Sequence, residues 1–378
     1  MSLVLVFALL LAIPSSLLAA DARPQRQVDP SQVPGTAQTE WEKTVAAAKK
    51  EGQVVIYSGP GTTLYSIDTG VFQKKFPEIK VVAAGGDTVQ RVLSERRAGK
   101  YLADIVMGGF TPILILNSSK ALDSIRDAMI LPEILDESKW WGGKHYYLDP
   151  ERKHVFSYIG KPSSGEIAYN PNLVKLREIQ SFRDFLNPKW KGKISMRDPR
   201  TIGPGSSTLM MFYYHPKLGP EYIRRLLGET DITIFRDPRQ GVDWLVSGKY
   251  PINFFSAPSQ VARAQQQGLP IVDFDRMKEG MYLSSHAGVI GFVNRAPHPN
   301  AAKVFINWLL SREGQMVVQT EYVKSATAGT QSLRIDIPKD IIAPADRLQE
   351  GIEYLIVEPL PREPVDKIVH ETLAKAGK

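Results

Sequence analysis

Three short stretches of this 378-residue chain carry residue types that could hold a small anion. Gly203-Pro204-Gly205-Ser206-Ser207-Thr208 runs straight into an apolar segment that begins at Leu209. A helix starting there presents backbone N–H groups without intrahelical partners, the positive end of its dipole, and hydroxyl donors, a set that suits a carboxylate or a phosphate. The same residues would also serve as an ordinary N-cap, and the sequence leaves both readings open. Ser58, Gly59, Thr62 and Thr63 form a comparable nest of donors after a strand-like run. Arg239, within Arg236-Asp237-Pro238-Arg239-Gln240, offers a countercharge.

Other chemistry finds little support. The chain has no cysteine, which excludes thiol catalysis, CxxC zinc sites and disulfides. Its six histidines show no HxxxH or HExxH spacing, so no zinc site is expected. There is no GxSxG, no Walker loop and no nucleophile–base pair at recognisable spacing, and an enzyme is not expected. Tyr213-Tyr214-His215 could tempt a metal ion. Adjacent helical residues point ~100° apart, however, so two phenols cannot readily face one ion. The pair also continues the apolar run Leu209-Met210-Met211-Phe212 and reads as a packed helix end. Tyr146-Tyr147, with His145 and His154, reads likewise as β structure. Neither a metal nor a cofactor is expected.

Composition bounds the remaining choices. Lys and Arg total 47 against 40 Asp and Glu, a net charge of +7 that favours anionic partners. No basic run with interleaved aromatics occurs, which argues against nucleic acid. Apolar residues at 43% and charged residues at 23% describe an ordinary folded chain, long enough for one large or two average domains. Leu3 to Ile13 is an unbroken apolar run followed by small residues up to Ala22. It is too short to span a bilayer and reads as a signal peptide over residues 1–22, cleaved after Ala20 or Ala22, although no Lys or Arg precedes it. Residues 23–40, rich in Pro, Gln, Ser and Asp, read as a flexible lead. The expected location is the periplasm.

The elements that would position these residues follow from periodicity. A helix from Trp41 stops at Gly52, and strands follow at Val54–Tyr57, Ile79–Ala83 and Ala103–Met107 with helical stretches between them. Continuous apolar strands in a β-α-β-α-β order predict a parallel sheet covered on both faces. Ligands of such sheets sit beyond the carboxyl ends of the strands, which here are Ser58-Gly59, Gly85-Gly86 and Gly108-Gly109. A second α/β set continues through Ile252–Phe255, and an amphipathic helix is expected from Pro299 to Gln315.

Several segments taken in order resemble the extracellular solute-binding proteins of ATP-driven importers, in their ferric-iron-binding-like branch. They are Val55-Ile56-Tyr57-Ser58-Gly59, Ala103-Asp104-Ile105, Ile167-Ala168-Tyr169-Asn170, Asn187 to Ile194, Asp198-Pro199 and His298 to Gln315. The resemblance implies an α/β, two-lobed type II periplasmic-binding-protein fold with two crossing hinge strands, near Ile167–Asn170 and near Tyr282–Ala287. Lobe one would be residues 41–167 plus 285–320 and lobe two residues 168–284, with residues 321–378 packing on the lobes. Hinge closure would trap the ligand.

Iron-binding members use tandem tyrosines and often a His and a Glu, as hard ferric ion wants anionic oxygen ligands. Here the tyrosine turn falls on Ser256-Ala257-Pro258-Ser259, the His position beside Gly61, and the Glu position at about Gly109. The resemblance thus implies a cleft lined by Ser58, Gly59, Thr62, Thr63, Gly108, Gly109, Gly205, Ser206, Ser207, Arg239, Ser256, Ser259 and His286, with no metal ligand among them. It implies a monomeric periplasmic receptor that takes a small solute, expected to be an organic anion, to an inner-membrane ABC permease. The alternatives are a ferric-iron receptor that uses an exogenous anion and a receptor that presents its ligand to a membrane sensor.

Overall fold

The computed structural model describes residues 34–59, 69–201, 205–274, 277–285, 288–324, 329–352 and 354–378. The expected signal peptide and most of the expected flexible lead lie outside these residues. The lead is shorter than expected: a helix already begins at Pro34 and runs to Glu51, where Gly52 (φ 74°) ends it in the left-handed conformation.

Fourteen strands occur among the described residues: β1 (Gln53–Ser58), β2 (Lys80–Gly85), β3 (Ile105–Gly108), β4 (Leu122–Asp123), β5 (Phe156–Ser157), β6 (Ile159–Ser163), β7 (Ile167–Tyr169), β8 (Ile194–Arg197), β9 (Thr233–Phe235), β10 (Ile252–Phe254), β11 (Val272–Asp273), β12 (Tyr282–Ser284), β13 (Val289–Val293) and β14 (Gln331–Ser332). The first large sheet has the order β2-β1-β3-β13-β4, with β5 on β13. Strands β2, β1 and β3 are parallel, as their apolar runs predict. Val54, Ile56 and Met107 pack on one face against Ala301, Phe305 and Trp308, while Tyr57 and Val106 pack on the other with Val92, Ile113 and Leu116. Both faces of β1 and β3 are covered, which is why these two strands do not alternate with polar residues, whereas β2 at the sheet edge is only half-buried. The second large sheet has the order β11-β7-β10-β8-β9, with β8 parallel to both β9 and β10. Its larger core joins Ile194, Met196 and Phe254 to Met211, Phe212 and Leu226.

The connection between the sheets is set by two antiparallel strands. Strand β13 pairs with β3 so that Val289 lies opposite Gly108 and Phe292 opposite Ile105, and it therefore begins at the carboxyl end of β3. Ser157 of β5 lies opposite the same Val289, so the chain also leaves the first sheet at that edge. In the second sheet Ile167 lies opposite Phe254, and the Phe255 amide donates to the Glu166 carbonyl, so β7 begins at the carboxyl end of β10. Strand β6 thus runs from the carboxyl edge of one sheet to the carboxyl edge of the other. Antiparallel β12 makes the return crossing. Five extended residues span ~16 Å, and the two edges face each other across that gap. The crossing strand is Ile159–Ser163, whereas Ile167–Tyr169, where the first crossing was expected, lies inside the second sheet. Where the strands pass, Gly288 admits no side chain, because a Cβ there would lie 1.9 Å from Cγ1 of Ile159.

A third stretch of chain also crosses. Strand β14 pairs with the free side of β6. Tyr354 then packs into the first core and Leu355 bridges to Tyr282, with the Leu283 amide donating to its carbonyl at 2.9 Å. Val357 enters the second core, and the helix Glu363–Lys375 adds Val365, Ile368, Val369 and Leu373 to it. The helix expected over Pro299–Gln315 is broken: Pro299–Leu310 ends at Ser311, which is extended (ψ 165°), and Arg312–Lys324 begins a second helix. The Ser311 hydroxyl accepts from the Gly314 amide at 3.2 Å and caps the new helix.

Glu358 ties the crossing segment to the hinge. Its Oε1 accepts from the amide of Ser285 at 2.9 Å and from the Ser285 hydroxyl at 2.8 Å. Burial pushes its carboxyl from 4.5 up to about 7, against the pull of those two bonds. A carboxyl raised in this way holds its proton more firmly in the folded state. Stability therefore falls as pH rises from about 4.5 to about 7 and stays lower above that. Glu358→Gln keeps the acceptor and removes the charge. Thermal unfolding of this variant should match the wild type at about pH 5 and exceed it at about pH 8; parallel curves at both values would show that the carboxyl ionises freely.

Candidate functional site

At the edge of the first sheet, Ser58 is fully buried at the end of β1 and its hydroxyl has no hydrogen-bond partner among the described residues. The Gly59 amide donates to the Met107 carbonyl at 3.0 Å, and a side chain at this glycine would meet nothing within 4 Å. Gly108 ends β3 and Gly109 caps the helix Phe110–Ser118. Thr62 and Thr63 lie outside the described residues, as does His286.

At the edge of the second sheet, the start of the helix Ser206–Tyr214 has an occupant from its own chain. Oε2 of Glu166 accepts from the Gly205 amide at 3.0 Å and from the Thr208 hydroxyl at 2.8 Å. Its other oxygen accepts from the Tyr282 hydroxyl at 3.4 Å. Burial, and then the neighbouring Glu166 charge, push the Tyr282 phenol far above its ordinary range, so it remains a donor. Glu166 reaches this place because β6 delivers the chain beside the helix start. Gly205 (φ 93°) is needed there, since a Cβ would lie 2.1 Å from the Phe255 ring. Phe255 is itself held at a φ of 65°, uncommon for an aromatic residue.

Ser206 and Ser207 are half-buried in the first turn of that helix. Ser256 is buried and donates to Oδ1 of Asn253, whose Nδ2 donates in turn to the Ser195 hydroxyl at 2.8 Å. Its hydroxyl is thus directed into the sheet. Ser259 belongs to the helix Pro258–Gln266, and its side chain lies outside the described residues. Arg239 is exposed in the first turn of the helix Pro238–Val246.

Sequence reasoning missed the most charged feature of this edge. The tetrapeptide Arg197-Asp198-Pro199-Arg200 follows β8, and the same tetrapeptide, Arg236-Asp237-Pro238-Arg239, follows β9. The strands are parallel neighbours in the register Ser195 to Thr233 and Arg197 to Phe235, so the two copies leave the sheet side by side. Both fold into the same turn: the Arg200 amide donates to Asp198 Oδ1 at 3.2 Å, and the Arg239 amide donates to Asp237 Oδ1 at 2.9 Å. Asp198 is also gripped by Nε and Nη2 of Arg200 at 2.8 and 2.9 Å, with Nε of Arg236 at 3.5 Å, and these cations hold its carboxyl below the usual range. Among the described residues Arg197 makes no ion pair, and its buried Nε finds no hydrogen-bond partner there. The repeated tetrapeptide was the available signal.

The tandem tyrosines are built into the second lobe. Their rings lie 4.9 Å apart, Tyr214 donates to the Pro361 carbonyl at 2.6 Å, and Tyr213 packs against the core. Among the described residues one group, Asp149, Glu151 and His154, brings possible metal-ligand atoms within 4.8 Å of one another. Asp149 is already the acceptor for the amides of Lys153, His154 and Val155 and acts as the pin of a turn.

Residues 160–321, from β6 through the second sheet to the helix after Ser311, match the family model of bacterial extracellular solute-binding proteins. Over these residues the chain is similar to an extracellular solute-binding domain. Its fold is shared with solved two-lobed binding proteins. The Trichodesmium protein IdiA (FutA), solved with iron and citrate, is 18% identical over 85% of this chain and 99% of its own, with a TM-score of 0.61. The apo ferric ion-binding protein A of Pasteurella haemolytica is 16% identical over 85% and 98%, with a TM-score of 0.59. AfuA of Actinobacillus pleuropneumoniae, bound to fructose-6-phosphate, is 19% identical over 86% and 97%, with a TM-score of 0.52. No curated protein matches the sequence. At such identities the likeness to solved structures speaks for the fold of this chain. Glu166→Ala would orphan the Gly205 amide and the Thr208 hydroxyl. It should lower the stability of the protein by about 1–3 kcal/mol in urea unfolding; an unchanged midpoint would mean that the carboxylate does not cap the helix.

Proposed function

We propose that this protein captures a small organic anion in the cleft between the two facing sheet edges and delivers it, as a periplasmic monomer, to an inner-membrane ABC permease. The observation that carries the anion is the pair of Arg-Asp-Pro-Arg turns, which sets four arginines against two aspartates on one edge. The opposite edge, at Ser58-Gly59 and Gly108-Gly109, offers small residues and neutral donors that let a ligand approach the backbone. Thr62, Thr63, Ser207 and His286 belong to the proposed lining by their place in the chain. A negatively charged solute is drawn towards such an edge and gains charge-assisted hydrogen bonds there.

Iron held with an exogenous anion is the second reading, favoured by the similarity to a protein solved with iron and citrate. The turn expected to hold tandem tyrosines bears Ser256-Ala257-Pro258-Ser259 here, a poor set of ligands for a hard trivalent ion.

Three measurements test these readings. A thermal-shift screen of carboxylates, phosphorylated metabolites, neutral sugars and metal salts should single out anions, since a ligand of the native state stabilises it by RT ln(1 + [L]/Kd). Small-angle scattering with the best anion should then show a smaller radius of gyration, whereas an unchanged envelope at saturation counts against an interlobe trap. In ferric citrate the protein should remain colourless. A visible phenolate-to-iron band lost in Tyr213→Phe would establish the iron reading.

A further inference from the structure

Four arginines stand at the edge of the second sheet, and their surroundings differ. Arg200 is committed to Asp198 through two hydrogen bonds. Arg236 leans on the same carboxylate, with 83% of its side chain exposed. Arg239 is exposed on its helix. Arg197 alone is half-buried with an orphaned Nε. A guanidinium cannot shed its proton, so this N–H stays a donor at every working pH. A buried donor without an acceptor weakens a fold, and its persistence calls for a partner that arrives from outside.

We propose that Arg197 fixes the oxyanion of the solute, a carboxylate or phosphate group taken side-on by Nε and Nη, with Arg239 adding a second positive charge at the rim. This assignment rests on the anion reading above and names the residue that carries it. Side chains alternate along β8. Ile194 and Met196 enter the core, while Ser195 and Arg197 share the opposite face with Asn253 and the helix Pro238–Val246. As the last residue of β8, Arg197 lies at the edge that faces the other lobe. Asp198, turned to Arg200 and Arg236, does not neutralise it. Nor can the solute's anionic group settle at the neighbouring helix start, because Glu166 already places a carboxylate there. Two like charges sharing that turn would repel, so Arg197 receives the oxyanion.

The test uses the full protein with citrate and inorganic phosphate as probes, chloride at matched ionic strength as the control, and a neutral hexose as the counter-ligand. Wild-type protein should be stabilised against heat by citrate or phosphate. Arg197→Met, which keeps the length of the side chain, should weaken that anion about tenfold or more. Arg197→Lys should fall between the two, because an ammonium lacks the paired geometry. Without ligand, Arg197→Met should melt no lower than wild type, since it removes an unsatisfied donor; a structural role would lower it. An undiminished anion response in Arg197→Met overturns this assignment and leaves the anion reading standing. A wild type that responds to neither anion, or only to the hexose, overturns the anion reading and this assignment with it.

Discussion

A strand that runs against its neighbours must enter the sheet where they leave it. This constraint acts twice here, at β13 beside β3 and at β7 beside β10, and the rest of the architecture depends on it. Because both antiparallel strands are fed from the hinge, the hinge must begin and end at carboxyl edges. The carboxyl ends of β1, β3, β8, β9 and β10, from Ser58 to Phe254, thereby lie on the two edges that the hinge joins. Gly288 makes the arrangement possible at its tightest point, where the chain entering β13 passes against Ile159 at the start of β6.

Within the cleft the charges are divided by element. Glu166 comes from the end of β6 and satisfies a helix start, a favourable place for a carboxylate because of the dipole and the free amides. The arginines come from turns that follow β8 and β9. A single sheet edge therefore holds an acceptor region near the hinge and a donor region on the far side of β10. Asp198 moderates the donor region by engaging two of the four guanidinium groups.

Much of this was legible in the sequence, and the reasons for what was not are physical. Val54–Tyr57 and Ala103–Met107 declared a parallel sheet because strands buried on both faces cannot hide their apolar runs, and Ile79–Ala83, though half-exposed at the edge, carries the same apolar pattern. The helix start at Gly205 was equally visible. Its internal partner was not, because Glu166 lies 39 residues earlier and only the crossing strand brings it there. Arg197 escaped notice for a different reason. A lone arginine is commonly a solvated surface residue, and its meaning depends on which carboxylates its neighbours consume. The break at Ser311 was hidden by an apolar pattern that continues in phase into the following helix. The third crossing by β14 and Leu355 involves single residues and short pairings, which carry no period.

That third crossing changes how the molecule can move. The chain around Leu355, β12, β6 and β14 lie side by side, a ribbon four chains wide and, at ~4.8 Å per neighbour, about 14 Å across. A hydrogen-bonded ribbon flexes readily out of its own plane, where backbone dihedrals change little and no ladder is broken. It resists shear and splaying within the plane, which would pull the ladders out of register. A pair of strands could act as a swivel with several degrees of freedom; this broader band acts as a leaf spring with one. A closing motion about this band would follow a single path and would bring the arginine edge of the second sheet towards the glycine edge of the first in a fixed alignment.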